Sequence, residues 1–294
     1  MGYYIQLLIN GISNGAVYAI IAVGWALIFS ILKFSNFGHG GTMVCAAYIG
    51  MVITRTFGTN LWLTLFISAL VGGIINMGVE TIGFRRLRKT SKQKLLFFVS
   101  SVTIGLLLQN VIGILFGGLF YSYPDFFGEG RFLMIGKLSI DVADITMLVI
   151  AGVCIGALML VLYKTRLGIG IRALSMNSRA TSLMGVNVNL LVLATFFVSG
   201  ALAGTSGVFV AIRTILSPQL GSMYTVKALT VSVIGGLGSM KGALFGALIL
   251  GVLETLLTAW IGAAIVPVGT FLFMIAFLII RPRGIAGSFE GDKA

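Results

Sequence analysis

Apolar runs long enough to cross a membrane follow one another along nearly the whole chain, parted by short polar or basic stretches. A hydrocarbon core about 30 Å thick takes roughly 20 helical residues. Runs of that order lie at residues 3–32, 34–54, 61–84, 95–120, 145–163, 190–212, 242–260 and 266–280. Between Lys227 and Lys241 only 13 residues remain, about 20 Å if helical, which is short for a full crossing. The turn Gly235-Gly236-Leu237-Gly238-Ser239 within that interval predicts a short or broken descending segment and then an ascending one. Broken helices persist in membranes where the freed backbone groups face protein or a cavity. With that pair taken together, the pattern predicts one all-α, polytopic integral membrane domain over residues 1–294. It has about eight membrane segments, including broken or short helices.

Composition agrees: 58% of residues are hydrophobic and 10% charged, with a mean hydropathy of +1.07. A soluble domain carries about a quarter charged residues. The excess of 20 Lys and Arg over 8 Asp and Glu, a net +12, would point to nucleic acid in a soluble protein. Here the basic residues cluster in short stretches between apolar runs, so they read as orientation against anionic lipid, with no nucleic-acid partner.

The clusters fix the sidedness. Residues 85–94 hold Arg85, Arg86, Arg88, Lys89, Lys92 and Lys94, and the island 164–189 holds Lys164, Arg166, Arg172 and Arg179 without an acid. Both are expected to be cytoplasmic loops. Residues 121–144 carry Asp125, Glu129, Asp141 and Asp144 against Arg131 and Lys137 and are expected to be an external loop. The N-terminus is then external, and the C-terminus, after Arg281 and Arg283, cytoplasmic. The first 31 residues lack a basic leader and a cleavage site, so the first run is expected to stay as a membrane segment.

Polar residues inside apolar runs are the candidates for function, because unpaired amides are costly against lipid. Asn14, Asn36, His39, Gln109 and Asn110 could line a translocation path, or could serve helix packing. His39 is the single histidine, which argues against a metal site. Glu254 is an acid well inside an apolar run, readable as a pathway group or as a partner-satisfied one. Gly38, Gly40 and Gly41, and Gly235, Gly236 and Gly238, are predicted helix breaks. Residues 213–226, with Pro218, read as an outer loop.

The chemistry of an enzyme is missing. The sequence has no phosphate-binding loop, metal cluster or nucleophile elbow, and Cys45 and Cys154 have no ligand-like spacing. No catalytic, cofactor-binding or metal residue is predicted. If nucleotide powers transport, another polypeptide must supply it. The basic island is where such a partner could dock: Arg172 and Arg179, like Ala173 and Ala180, stand seven residues apart, near one face of a helix. An ordinary basic inside loop fits the same residues.

Three regions carry a family resemblance. The first runs from Gly24-Trp-Ala-Leu-Ile-Phe29 through Asn36-Phe-Gly-His-Gly40 to Ala46-Ala-Tyr48. The second covers 168–187, especially Arg172-Ala and Ala180 through Ser182-Leu-Met-Gly-Val-Asn187. The third runs from Lys227-Ala-Leu-Thr-Val-Ser-Val-Ile-Gly-Gly-Leu-Gly-Ser239 through Gly242-Ala-Leu-Phe-Gly246 to Glu254. In this order they resemble the LivH-like permease subunit of bacterial branched-chain amino-acid ABC transporters.

That resemblance implies a multi-pass subunit of the bacterial inner membrane, paired with a second related permease. It further implies two cytoplasmic ATPase subunits that use ATP and Mg, and a periplasmic substrate-binding protein. It makes the island the coupling segment, with Gly168, Arg172, Ala173, Arg179, Ala180 and Gly185 as coupling residues, and leucine, isoleucine and valine the cargo. Related permeases serve urea, short amides and other amino acids, and an ATP-independent facilitator is a further reading. The segment Ser175-Met-Asn-Ser-Arg179 departs from relatives that carry acidic character there.

Overall fold

The computed structural model describes residues 2–58, 60–90, 93–124, 126–127, 132–135 and 138–286. Lys92, Asp125, Glu129, Arg131 and Lys137, which contributed to the charge reading, lie outside the described residues.

Among the described residues the regular structure is helical apart from one hairpin and an isolated bridge between Tyr121 and Leu216. α1 covers Gly2–Leu32, α2 His39–Phe57 and α3 Leu61–Val79. α3 runs through a π-helical turn, Glu80–Phe84, into α4, Arg85–Thr90, so the basic stretch expected as a loop begins as a continuation of the helix. α5 is Lys94–Leu115, α6 Val142–Lys164, α7 Arg166–Met176, α8 Ser178–Leu183 and α9 Val188–Arg213. α10 is Leu220–Gly235, α11 Met240–Ile261 and α12 Val266–Ile280. Strands β1, Phe132–Ile135, and β2, Leu138–Asp141, pair antiparallel within the acid-rich stretch. Among the described residues six helices are long and apolar enough to cross a membrane: α1, α3 with its extension, α5, α6, α9 and α11. α10 and α12 are apolar but only 16 and 15 residues long.

α1 is the axis of the bundle. Residues 15–28 are buried almost without interruption, as expected of a helix that is apolar all round and surrounded by protein. By contrast α12 buries only Thr270, and its Leu272, Ile275, Ile279 and Ile280 stand exposed, as a lipid-facing surface requires.

Small residues set the closest approaches. α1 and α11 run antiparallel, and a Cβ on Gly15 would come within 2.9 Å of the Ala247 carbonyl oxygen. α3 and α9 cross so tightly that a Cβ on Gly72 or Gly204 would strike the partner's backbone. Asn76, buried in α3, donates from Nδ2 to the Phe196 carbonyl of α9 at 2.7 Å. Without a hydrophobic drive between helices in lipid, such packing and interhelical bonds hold the bundle.

Most of the described basic residues gather at one end. Lys33 follows α1, Arg85 and Arg86 follow the π-turn, Lys164 ends α6, Lys241 lies in the first turn of α11 and Arg281 follows α12. Ile285 N donates to the Ile234 carbonyl at 2.9 Å, tying the chain after α12 to the foot of α10. Asp141, Asp144 and Arg213 lie at the other end, where Asp144 pairs with Arg213.

Two predicted breaks have different outcomes. α10 ends at Gly235, Gly236 and Gly238 take φ of 102° and 81°, and Ser239 caps α11 by accepting from Gly242 N at 3.1 Å. Those positive φ values suit glycine alone among the residues present. The descending segment is longer than expected, because α10 starts at Leu220 and places Lys227 in mid-helix rather than at a loop edge. At the other break only Gly38 is a boundary, the N-cap of α2. Gly40 and Gly41 lie inside α2, and a side chain on either would meet α10 or α5. α2 also starts deep beside α1: Trp25 Nε1 donates to the Asn36 carbonyl at 3.1 Å, and His39 packs on Gly24.

Candidate functional site

At the basic end, Thr165 caps α7 by accepting from Gly168 N at 3.1 Å, and Asn177 caps α8 by accepting from Arg179 N and Ala180 N, each at 3.0 Å. Such N-caps satisfy the donors that helix starts leave free. The Asn177 cap breaks the island into two helices, so Arg172 and Arg179 do not share one helical face. Arg172 lies over the Tyr163 ring, 5.0 Å from its centroid, while Arg179 is exposed on α8.

Ala173 and Ala180 are exposed, Gly185 follows α8 with a φ of 77°, and Gly168 is buried where a Cβ would strike the end of α6. Around them runs an apolar groove of about 610 Å3, bordered by Leu167, Gly170, Ala173, Met176, Ala180 and Met184 among others. Met176, Leu183 and Met184 are 83–84% exposed. Behind the groove, Arg88 pairs with the fully buried Glu80 of the π-turn and donates to Asn189 Oδ1 at 3.2 Å. Asn189 sits in the first turn of α9, so this pair ties α3 to the helix that leaves the island.

Towards the other end, α1, α9, α10, α11 and α12 enclose a cavity of about 600 Å3. Lys227 Nζ donates to Glu254 Oε2 and to the Tyr18 hydroxyl, both at 2.7 Å, and that hydroxyl donates to Glu254 Oε2 at 2.6 Å. The ammonium also lies 4.6 Å and 5.3 Å from the ring centroids of Tyr18 and Tyr224. A full charge this deep is tolerated only when paired and bonded in this way. Asn14 donates to Thr255 Oγ1 at 3.1 Å and accepts from Arg213, which also binds Asp144.

Of the predicted path residues, the structure brings only Asn14 to this cavity. Asn36 is buried, its Oδ1 accepting from Gly38 N at 3.0 Å. His39 is wholly buried at the start of α2, 3.5 Å from Ser199 Oγ. Gln109 accepts from Ser222 Oγ at 2.9 Å, and Asn110 is exposed, donating to its own helix at Leu106 O, 2.8 Å away. None of these four borders the cavity. Glu254 lines this cavity and is satisfied there by Tyr18 and Lys227. Tyr18 and Thr270 carry no signal in the sequence, and Arg213 and Lys227 read there only as segment edges; the one signal for the site is Tyr224 and Lys227 at i and i+3, which a helix starting at Leu220 stacks.

Among the described residues no group of three or more His, Cys, Asp or Glu could hold a metal ion.

The family model described as "Branched-chain amino acid transport system / permease component" matches residues 7–281. The chain is 28% identical to the high-affinity branched-chain amino acid transport system permease protein LivH of Salmonella typhimurium, over 99% of this chain and 98% of that one. It is 29% identical, over the same shares, to the corresponding permease protein BraD of Pseudomonas aeruginosa. The ribose import permease protein RbsC of Escherichia coli is 28% identical over 86% of this chain and 78% of its own length. The structure of PsaBC from Streptococcus pneumoniae in complex with Fab superposes with a TM-score of 0.50 at 14% identity, covering 93% and 91% of the two chains; it speaks for the fold alone.

Proposed function

The chain belongs to the family of branched-chain amino acid transport system permease components, and from that premise we propose that it is the membrane permease subunit of an ATP-driven importer for leucine, isoleucine and valine. It is a multi-pass protein of the bacterial inner membrane and a transport subunit rather than an enzyme. α2, α12 and the broken α10–α11 pair, taken with the other five long helices, make eight membrane segments, with the N-terminus outside and the C-terminus inside. Its partners are a second related permease, two cytoplasmic ATPases that bind ATP and Mg, and a periplasmic binding protein.

The observation that carries the coupling assignment is the island at the basic end. Exposed Met176 and Met184 border an apolar groove, and Leu183 beside them is exposed as well, where the positive-inside rule calls for water rather than lipid. Apolar surface of this kind marks a protein contact. Exposed Arg179 gives that contact a positive rim suited to an acidic partner face. Motion of the ATPases would reach α6 through Arg172 on Tyr163, and α9 through the Arg88, Glu80 and Asn189 contacts.

The test is recovery of this chain from its own membrane, followed by ATPase and uptake assays in vesicles with leucine, isoleucine, valine, urea and short amides. Co-purified ATPases and ATP-dependent uptake of the branched-chain amino acids are expected. Uptake by this chain alone would replace the assignment with a facilitator, and uptake confined to urea or amides would change the cargo.

A further inference from the structure

The cavity around Lys227 and Glu254 holds more bonding capacity than the protein spends. Glu254 takes both of its bonds on Oε2, which leaves Oε1 to accept. Lys227 commits two of its three donors. Thr270, 6% exposed, lines the same cavity, and its buried hydroxyl has no protein partner. A buried polar atom left unbonded is uncommon and asks for a ligand or a water. The remaining wall is apolar, with Val17, Val210, Val266, Pro267 and Phe271. A volume of about 600 Å3 falls within the range of small-molecule sites, which combine such walls with a few placed polar groups.

A second cavity, of about 580 Å3 and far more polar, lies on the outward side among Gln6, Asn10, Asp141 and Asp144. Asn14, Arg213, Thr255 and Thr258 border both cavities. The wall between them is therefore the set of bonds from Arg213 to Asn14 and Asp144 and from Asn14 to Thr255.

We propose that the inner cavity is a transit site within this one subunit for a free amino acid with an apolar side chain, reached from the outer polar cavity by parting the Arg213 contacts. The site rests on the reading of the chain as an amino-acid permease. The ligand ammonium sits at Glu254 Oε1, its carboxylate at the third Lys227 donor and the Arg213 guanidinium, and its side chain on the Val and Phe wall. Each ligand charge thus meets an opposite one without dismantling the Lys227–Glu254 pair, whereas a bare amine or a bare acid would leave one half of the site uncompensated. A zwitterionic phospholipid headgroup offers the same pair of charges, and the experiment separates the two sources.

The full chain, purified from its membrane with the subunits that accompany it, is assayed for equilibrium binding of radiolabelled leucine without nucleotide or binding protein. Saturable binding is expected. Glu254→Gln, and separately Thr270→Phe, which fills the cavity without touching the ion pair, are expected to weaken it at least tenfold. Neither leucinamide nor 4-methylpentanoate should displace leucine. Unchanged binding in Thr270→Phe, displacement by either analogue as well as by unlabelled leucine, or phospholipid retained in the wild-type protein with no saturable leucine binding would overturn the proposal. Recovery of ATPases in the same preparation reports separately on the permease reading: ATPases without leucine binding leave that reading standing and sink this site.

Discussion

Lys227 Nζ lies 2.7 Å from Glu254 Oε2 across the α10–α11 hairpin, although 27 residues separate them in the chain. Their side chains are 17% and 9% exposed, so the pair sits in a low dielectric where neither charge is affordable alone. Lys227→Met should destabilise the protein by roughly 3–5 kcal/mol, the usual cost of stranding a buried charge. The double variant Lys227→Met with Glu254→Gln should recover most of that loss. Thermal unfolding in detergent reads both, and additive losses would show that the two residues do not act as a pair.

The crossing of α3 and α9 offers a contrast between two glycines, Gly204 of α9 and Gly78 of α3. Gly204→Ala puts a methyl into the Ser68 carbonyl and should cost about 1–3 kcal/mol by overpacking. Gly78→Ala, whose Cβ would meet nothing within 4 Å, should be neutral or stabilising by up to about 1 kcal/mol, the helix preference for alanine. Equal effects in a thermal-shift series would remove close helix approach as the reason for these glycines.

On the island, Leu183→Ser together with Met184→Ser should leave stability within about 0.5 kcal/mol, as expected for exposed positions, while lowering recovery of the ATPase at least tenfold. Arg179→Glu should weaken the same association in a salt-dependent way. Arg172→Ala acts differently, since its guanidinium packs on Tyr163: about 0.5–2 kcal/mol of stability is at stake. Pull-down with tagged ATPase, run beside a melting curve, separates the two behaviours.

The Glu80 carboxylate is fully buried and bound by Arg88. Arg88→Ala should therefore be more damaging than Glu80→Gln, by at least about 1 kcal/mol, because the first strands a buried charge and the second a partly exposed one. Because Arg88 also reaches Asn189, Glu80→Gln should lower the ratio of cargo moved to ATP hydrolysed while the complex still assembles. An unchanged ratio in vesicles would confine the pair to a structural role.

Hydropathy and charge made the membrane class, the helical build, the basic end and the island legible, since each depends on composition over windows of about 20 residues. The Gly235–Gly238 break was legible too, because a cluster of glycines in a span too short to cross has few other readings. The helical state of Gly40 and Gly41 was not. Glycine serves a break and a close helix contact equally well, and only the neighbouring helix tells them apart. The partners of the amides were not legible either: Gln109 and Asn110 stood out in an apolar run, but Ser222, on a helix more than a hundred residues away, and a carbonyl of Asn110's own helix are set by tertiary structure.

By itself, then, the sequence determined that this is a polytopic helical membrane protein with one basic end, and through its three motif regions it pointed to the permease family. Those properties are sums or local patterns along the chain. Tertiary structure alone decided that Tyr18, Arg213, Lys227, Glu254 and Thr270 surround one cavity. Those residues come from five helices, and which faces meet depends on where the small residues let α1, α9, α10, α11 and α12 approach, a matter of packing that no single segment encodes.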